Sequence, residues 1–389
     1  MYIALICVIY LAFISLGLPD SLLGSAWPVM RSEFGASLDF AGVVAMIISG
    51  STIVSSLFAE KVTFRFGTDR VTVFSVALTA AALFGFSISS SLWMLCLWAV
   101  PYGLGAGAID SGLNNYVALH YNSRHMSWLH CFWGVGAAIS PYIMAFFLTR
   151  GGNWQGGYRT VAVIQACISL VLLLTLPLWK INRKDSSAAD GSQPVGIANA
   201  LKLPGTVWVI LAFFAYCTCE CTTGLWASSY LVEARGVGKE LAARFASLFY
   251  LGITFGRFIV GLFSERLGDR KMVRIGVGIL FFGITLILIP FSSPVPALAG
   301  LVISGFGCAP VFPSIIHATP DNFGAGNSQA VISIEMASAY VGCTFIPPVF
   351  GMIAQHFSMK LFPVFLLVFC SLMLFSTEAL NRKVDGCRS

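Results

Sequence analysis

The sequence predicts an all-α polytopic membrane protein with twelve transmembrane helices in two pseudo-symmetric six-helix bundles, and three observations carry that prediction. Of 389 residues, 57% are hydrophobic and only 10% charged, against roughly 25% charged in a soluble domain. Apolar runs long enough to cross a hydrocarbon core, about 20 helical residues, recur from Ile3 to just before Asn381, with room for twelve. The second half of the chain also repeats the landmarks of the first. Helix is the spanning structure because a backbone in lipid must satisfy its own hydrogen bonds, and the runs lack the ten-residue alternation of a membrane barrel.

The spans fall at roughly 3–30, 39–60, 71–90, 92–118, 126–149 and 158–179, then 206–232, 241–263, 272–291, 295–316, 328–354 and 359–380. Between the sixth and seventh lies the longest polar stretch, which contains Asn182 to Pro194 and has a linker's composition. The expected organisation is an N-terminal bundle at 1–179, a cytoplasmic linker at 180–205 and a C-terminal bundle at 206–389. No positive residue precedes the first apolar stretch, and Pro19-Asp20 interrupts it, so a cleaved signal peptide is not expected.

With the N-terminus inside, the inner loops and C-terminal tail hold fifteen Lys and Arg (Lys61 to Arg388), the outer loops hold seven, and Arg257 lies within a span. The positive-inside rule then places both termini in the cytoplasm of an integral cell (inner) membrane protein. The net charge of +6 encodes this topology and not nucleic-acid affinity, because no basic patch is interleaved with aromatics. Most cysteines sit singly in apolar runs, so no disulfide framework is implied. Cys217, Cys219 and Cys221 do not make a metal cluster, since alternate residues of a helix diverge. No cofactor is expected.

The internal repeat is clearest at a spacing of 200 residues. Asp20, Gly24 and Glu33 of span one are matched by Glu220, Gly224 and Glu233 of span seven. Gly103 and Gly105 in span four correspond to Gly305 and Gly307 in span ten, and Gly136 to Pro141 in span five to Gly342 to Pro347 in span eleven. Order and register together indicate a parallel duplication.

After span eight comes Gly261-Leu-Phe-Ser-Glu265-Arg266-Leu-Gly268-Asp269-Arg270-Lys271. This segment resembles the inter-helix loop signature of the major facilitator superfamily. Gly261 permits close helix approach, Gly268 a tight turn, and Glu265, Arg266 and Arg270 a charge network at a cytoplasmic gate that locks one conformation and breaks in the other. Arg257 either joins this network or snorkels. The corresponding first-half loop, Ser56 to Arg70, lacks the first glycine and carries a shifted one at Gly67.

Asp20, Asp110, Glu220 and Glu335 fall well inside spans, where a charged carboxylate costs about 2.5–3.5 kcal/mol on insertion scales. Each must therefore face protein or water. Read as continuous helix, Gly17, Asp20 and Gly24 share one face of span one, and Gly107, Asp110 and Asn114 one face of span four. An acid reached alternately from two sides can load and release a proton, which is the chemistry of ion-coupled transport; the alternative is a permanently protonated acid bonding between helices.

The stretch Gly103 to Asn115, with the acid in span one, resembles the fucose permease branch of the superfamily, the sugar:proton symporters. Trp128 to Ala137 and Glu220 to Tyr230 are similar to that branch and to its sodium-dependent glucose transporter relatives. The resemblance implies that Asp20 and Asp110 are the functional acids of spans one and four, with Asn114 or Asn115 the downstream asparagine. Pro19 and an aspartate at 110 depart from the fucose permease pattern, which argues against fucose itself.

Recognition of a sugar wants carboxylates and amides beside an aromatic face. The residues available for that are Asn114, Asn115, His130, Trp133, Gln165, Glu220, Trp226 and Glu335, with Asp20 and Asp110 as coupling acids. The expected function is proton-coupled (or sodium-coupled) symport of a sugar or polyol by a monomer, with the solute at the midplane between halves and alternating access. The rival is a proton-coupled efflux antiporter of drugs or metabolites, which Gly136 to Pro141 favours. An enzyme is not expected, because the HEXXH and GXSXG patterns are absent.

Overall fold

The structure, a computed structural model, describes residues 2–37, 40–150, 153–183, 194–290 and 293–388; of the expected linker, 184–193 lie outside the described residues. Among the described residues every regular element is helical, and twelve helices are long and apolar enough to cross a membrane. The chain is an all-α, multi-pass membrane protein. It divides into two compact units, one of Met1–His120 with Leu129–Gly196, the other of Tyr121–Trp128 with Ile197–Ser389.

The first unit is built on α1 (Tyr2–Gly17), α2 (Leu22–Phe34), α3 (Phe40–Phe66), α4 (Thr68–Ser87), α5 (Leu92–His120), α6 (Ser123–Thr149, from Leu129), α7 (Trp154–Leu174) and α8 (Leu176–Arg183). Helix α5 packs on α3 and α4, and α4 on α7. The glycines of α5 explain how these helices approach. A Cβ on Gly103 or Gly107 would strike the α3 backbone at Ile48 or Thr52, and one on Gly105 would strike α4 at Ser75 and Thr79. Helices α1 and α6 approach in the same way, with Gly17 against the Trp133 carbonyl and Gly136 against that of Ile14.

Span one is not the continuous helix read from the sequence, so Gly17, Asp20 and Gly24 do not form one helical face. Proline 19 has no N–H to give and its ring opposes the carbonyl four residues back. Helix α1 therefore ends at Gly17, the Asp20 N–H turns back to Gly17 (3.2 Å) and that of Leu22 to Pro19 (3.1 Å), and α2 starts anew. The carbonyl that Pro19 leaves without its helical donor belongs to Ser15, and the Gln165 amide of α7 donates to it at 2.5 Å while the Ser15 hydroxyl returns a bond to Gln165 Oε1.

The second unit holds α9 (Ile197–Ala200), α10 (Thr206–Arg235), α11 (Lys239–Leu267), α12 (Asp269–Leu288), α13 (Val295–Cys308), α14 (Val311–Phe323), α15 (Ala325–His356), a 3-10 turn at Met359–Leu361 and α16 (Phe362–Arg388), together with Tyr121–Trp128. Its α10 packs on α15 and α16, and α13 on α11 and α12. The glycine code of the first unit returns. Gly305 lies against the Phe249 carbonyl of α11, Gly307 against Leu280 and Gly276 of α12, and Gly342 against Phe214 of α10. Here it is span ten that breaks, at Ala309-Pro310.

Three tight turns share one geometry. Gly67 before α4 has φ 86°, ψ 145°, Gly268 before α12 has φ 77°, ψ 156°, and Gly324 before α15 has φ 85°, ψ 146°. That region is essentially closed to residues with a Cβ. The first-half loop, which reads as degenerate in sequence, thus keeps the turn of the second-half signature.

Candidate functional site

In the first unit, Asp20 lies on the non-helical turn between α1 and α2, inside the 32-residue span Ile3–Phe34. The residue is exposed, and its carboxylate accepts one bond from the Tyr102 hydroxyl of α5 (2.8 Å) and another from the Trp133 indole of α6 (2.9 Å). Two other spans therefore hold it. The break in the helix is what turns this acid toward them.

Asp110 is buried on α5. The Asn114 amide, one turn on, donates to its Oδ1 at 2.8 Å and to its backbone carbonyl at 2.9 Å. With both its N–H groups aimed at acceptors, Asn114 faces His130 of α6 with its oxygen, so His130 Nε2 donates at 2.9 Å. Phe13 of α1 meets the His130 ring edge-on at 5.4 Å.

These are two clusters and not one. Tyr102 and Asp110 are eight residues apart on α5, about 12 Å of helical rise. On α6, His130 and Trp133 are three residues apart and share one face of the helix, so both clusters are met by the same side of α6. The polar line runs Asp20, Trp133, His130, Asn114, Asp110. Asn115 is buried beside it at 9% exposure. Gln165, fully buried, is engaged with Ser15 as described, which makes it a brace for the helix break.

In the second unit, Glu220 on α10 and Arg257 on α11 face each other at 3.7 Å, with side-chain exposures of 14% and 3%. Arg257 also donates to the Tyr216 hydroxyl at 3.4 Å, and its guanidinium lies 5.9 Å from the Phe312 ring centre. Arg257 thus neither joins the loop network nor snorkels to the interface. The attraction of such a pair is about 4 kcal/mol at a dielectric near 20, while desolvation takes back several kcal/mol per ion. Stability alone does not account for it.

Glu335 of α15 is fully buried and accepts from the Thr319 hydroxyl of α14 at 2.9 Å. Trp226 donates to the Pro347 carbonyl at 2.8 Å and packs on Phe350, 6.0 Å away. It ties α10 to α15 at Pro347 and Pro348, which lie inside that helix.

At the loop signature, Gly261 leaves room for the Trp128 indole. Glu265 accepts from Arg124 (3.0 Å) and Asn122 (3.2 Å), and Arg270 donates to both oxygens of Asp385 (2.8 and 3.0 Å). Arg266 is exposed. Beside them His317 bonds Asp269 through Nδ1 (2.7 Å) and the Tyr121 carbonyl through Nε2 (3.0 Å). In the first unit Glu60, the counterpart of Glu265, instead accepts from the backbone N–H groups of Val195 (2.7 Å) and Gly196 (3.0 Å).

Sequence reasoning missed Tyr102 and Tyr216 and misplaced Arg257. The signal for Tyr102 was present, since 102, 106, 110 and 114 recur at helical spacing on one face. For Tyr216 it was the same four-residue step from Glu220.

The sequence profile of the Major Facilitator Superfamily matches residues 9–246 and, in a second match, 209–383. Among curated relatives, Bypass of stop codon protein 6 of Saccharomyces cerevisiae is 24% identical over 286 residues, covering 67% of this chain and 56% of the yeast protein. The chain therefore spans little more than half of that relative's length. Glucose/mannose transporter GlcP of Bacillus subtilis is 23% identical over 326 residues, 78% of this chain and 77% of GlcP. Of solved structures, the proton:xylose symporter XylE aligns with a TM-score of 0.78 at 12% identity over 97% of this chain and 95% of its own. FucP in its outward conformation aligns with a TM-score of 0.76 at 15% identity over 96% and 99%. At such identities the structures speak for the fold, and the profile for the family: the chain belongs to the Major Facilitator Superfamily.

Proposed function

We propose that the protein is a secondary active transporter that moves a small polar solute, a sugar or polyol in its general chemistry, by proton-coupled symport with alternating access. The observation that carries this reading is Asp20: a carboxylate on a broken helix within a span, held by Tyr102 and Trp133 from two other spans. An acid kept at membrane depth faces protein or water and marks an ion pathway, and broken helices with liberated backbone are where carriers of this kind bind. Asp110, reached through Trp133, His130 and Asn114, is the second titrating group. The likeness to GlcP, whose name assigns it glucose and mannose, supports a sugar-like solute. We place the protein in the cell membrane as a monomer with both termini in the cytoplasm, and assign Glu265, Arg124, Asn122 and His317 to a latch on the cytoplasmic side that opens in each cycle.

The test is uptake into proteoliposomes under an imposed proton gradient, with sodium varied independently. Asp20→Asn and Asp110→Asn are expected to abolish accumulation while the protein stays folded. Raising the pH on the side from which the solute loads should lower accumulation, since the proton is a co-substrate. Undiminished accumulation in both variants rejects the reading. Solute moving opposite to the proton gradient assigns the protein as an efflux antiporter.

A further inference from the structure

We propose that the second unit binds the carboxylate of a small hydroxylated acid at Arg257, with Glu220 yielding its place beside the guanidinium and taking up a proton from water. This rests on the transporter reading above and narrows its solute to an anion.

The argument begins with where the cation is. Arg257 lies ten residues before the end of α11 at Leu267, about 15 Å of helix, and Glu220 sits near the middle of the 30-residue α10. A neutral polyol gives no reason to keep a guanidinium at that depth. A carboxylate does, because the planar fork of arginine matches it with two parallel hydrogen bonds. The Glu220 carboxylate stands 3.7 Å from Arg257, a charge contact longer than a hydrogen bond. It occupies the neighbourhood of a bound anion without making the bidentate geometry such an anion achieves.

Charge balance supplies the coupling. The empty pair sums to zero. Adding an anion leaves one negative charge at a depth where an uncompensated charge is expensive, and a proton on Glu220 restores zero. One proton then enters with each anion, and the step is electroneutral.

The titratable groups within electrostatic reach of Glu220 are Tyr216, Cys217 and Cys221 on its own helix, Tyr250 and Arg257 on α11, Cys308 on α13 and Cys343 on α15. Arg257 is the cation among them. The Tyr250 hydroxyl presses on Gly224, one turn along α10 from Glu220, where it is placed to meet a hydroxyl of the solute. Phe312 lies under the guanidinium at 5.9 Å and offers the apolar face.

The test is binding to the purified full-length protein, with D-glucuronate and D-gluconate as acid probes and D-glucose as the neutral one, each at acidic and at neutral pH. Either acid should bind, and more tightly at acidic pH. Arg257→Gln should weaken it by at least about tenfold, the loss of a hydrogen bond to a charged group, with Arg257→Lys intermediate. Glu220→Gln should keep the affinity for the acid and lose its pH dependence. The proposal is overturned if neither acid binds, if Arg257→Gln binds the acid as the parent does, or if Glu220→Gln keeps the pH dependence. Should Arg257→Gln not fold, the Glu220→Gln result decides alone. Glucose binding that ignores Arg257, with accumulation lost in Asp20→Asn, overturns this proposal and leaves the transporter reading intact. Acid binding that depends on Arg257, with Asp20→Asn accumulating normally, does the reverse.

Discussion

The acid of the first unit and its counterpart 200 residues on are set in opposite ways. Asp20 stands on a break between two helices, exposed, its carboxylate met by a phenol and an indole. Glu220 stands within an uninterrupted α10, mostly buried, and its carboxylate faces a guanidinium. The residue before each acid decides the backbone: Pro19 cannot continue a helix, whereas Cys219 can. The charge across from each acid decides the chemistry. Asp20 meets only neutral donors, while Arg257 gives Glu220 a counter-ion. The repeat thus keeps the register of the acids, while the preceding residue and the facing side chain set their surroundings apart.

The largest expected effect tests the pair. Arg257→Ala should destabilise the protein by about 3–5 kcal/mol, because it strands a buried charge, and Arg257→Ala with Glu220→Ala should recover much of that loss, as read by thermal unfolding in detergent. No comparable loss is expected for Asp20→Asn, whose amide oxygen can accept from the Trp133 indole while its NH2 donates to the Tyr102 hydroxyl; a loss as large there would erase the contrast between the units.

The next effect probes the break. Gln165→Leu should cost about 1–3 kcal/mol by leaving the Ser15 carbonyl without its donor. In a Pro19→Ala background that cost should shrink, since residue 19 then has an N–H to give. Additive effects in the double-mutant cycle would show that Gln165 does not serve the break.

A similar magnitude is expected at the turns. Gly67→Ala and Gly268→Ala should each cost about 1–3 kcal/mol, and nearly equally, because both glycines adopt the same conformation. A tolerated Gly67→Ala would mean that the first loop is as relaxed as its sequence makes it look. The smallest effect is Trp226→Phe, about 1 kcal/mol for one hydrogen bond, with solute binding unchanged if Trp226 only braces α15; impaired binding would mark it as a ligand residue.

Much of this was legible beforehand because the bilayer simplifies the problem. A span needs a run of apolar residues, so twelve spans can be counted, and a carboxylate inside one stands out by its cost. Asp20, Asp110, Glu220 and Glu335 were found that way. Gln165 and Trp226 read as ligands because amide and indole groups suit a sugar. In the structure they bond backbone carbonyls, Ser15 and Pro347, on helices distant in sequence, and a partner 121 or 150 residues away leaves no periodic trace. Gly103, Gly105 and Gly107 accompany the acid in sequence, yet they serve helix packing.

The sequence by itself determined the class of protein, the number of spans, the duplication and the acids at membrane depth, since each follows from local composition or from comparing the chain with itself. It also contained the helix break, in Pro19, because a missing N–H is a local fact. Only the tertiary structure decided which groups face those acids: Tyr102 and Trp133 for Asp20, His130 through Asn114 for Asp110, Arg257 for Glu220. The function of a buried carboxyl depends on the charge and donors within a few ångströms of it, and in a helical membrane protein those neighbours come from other helices.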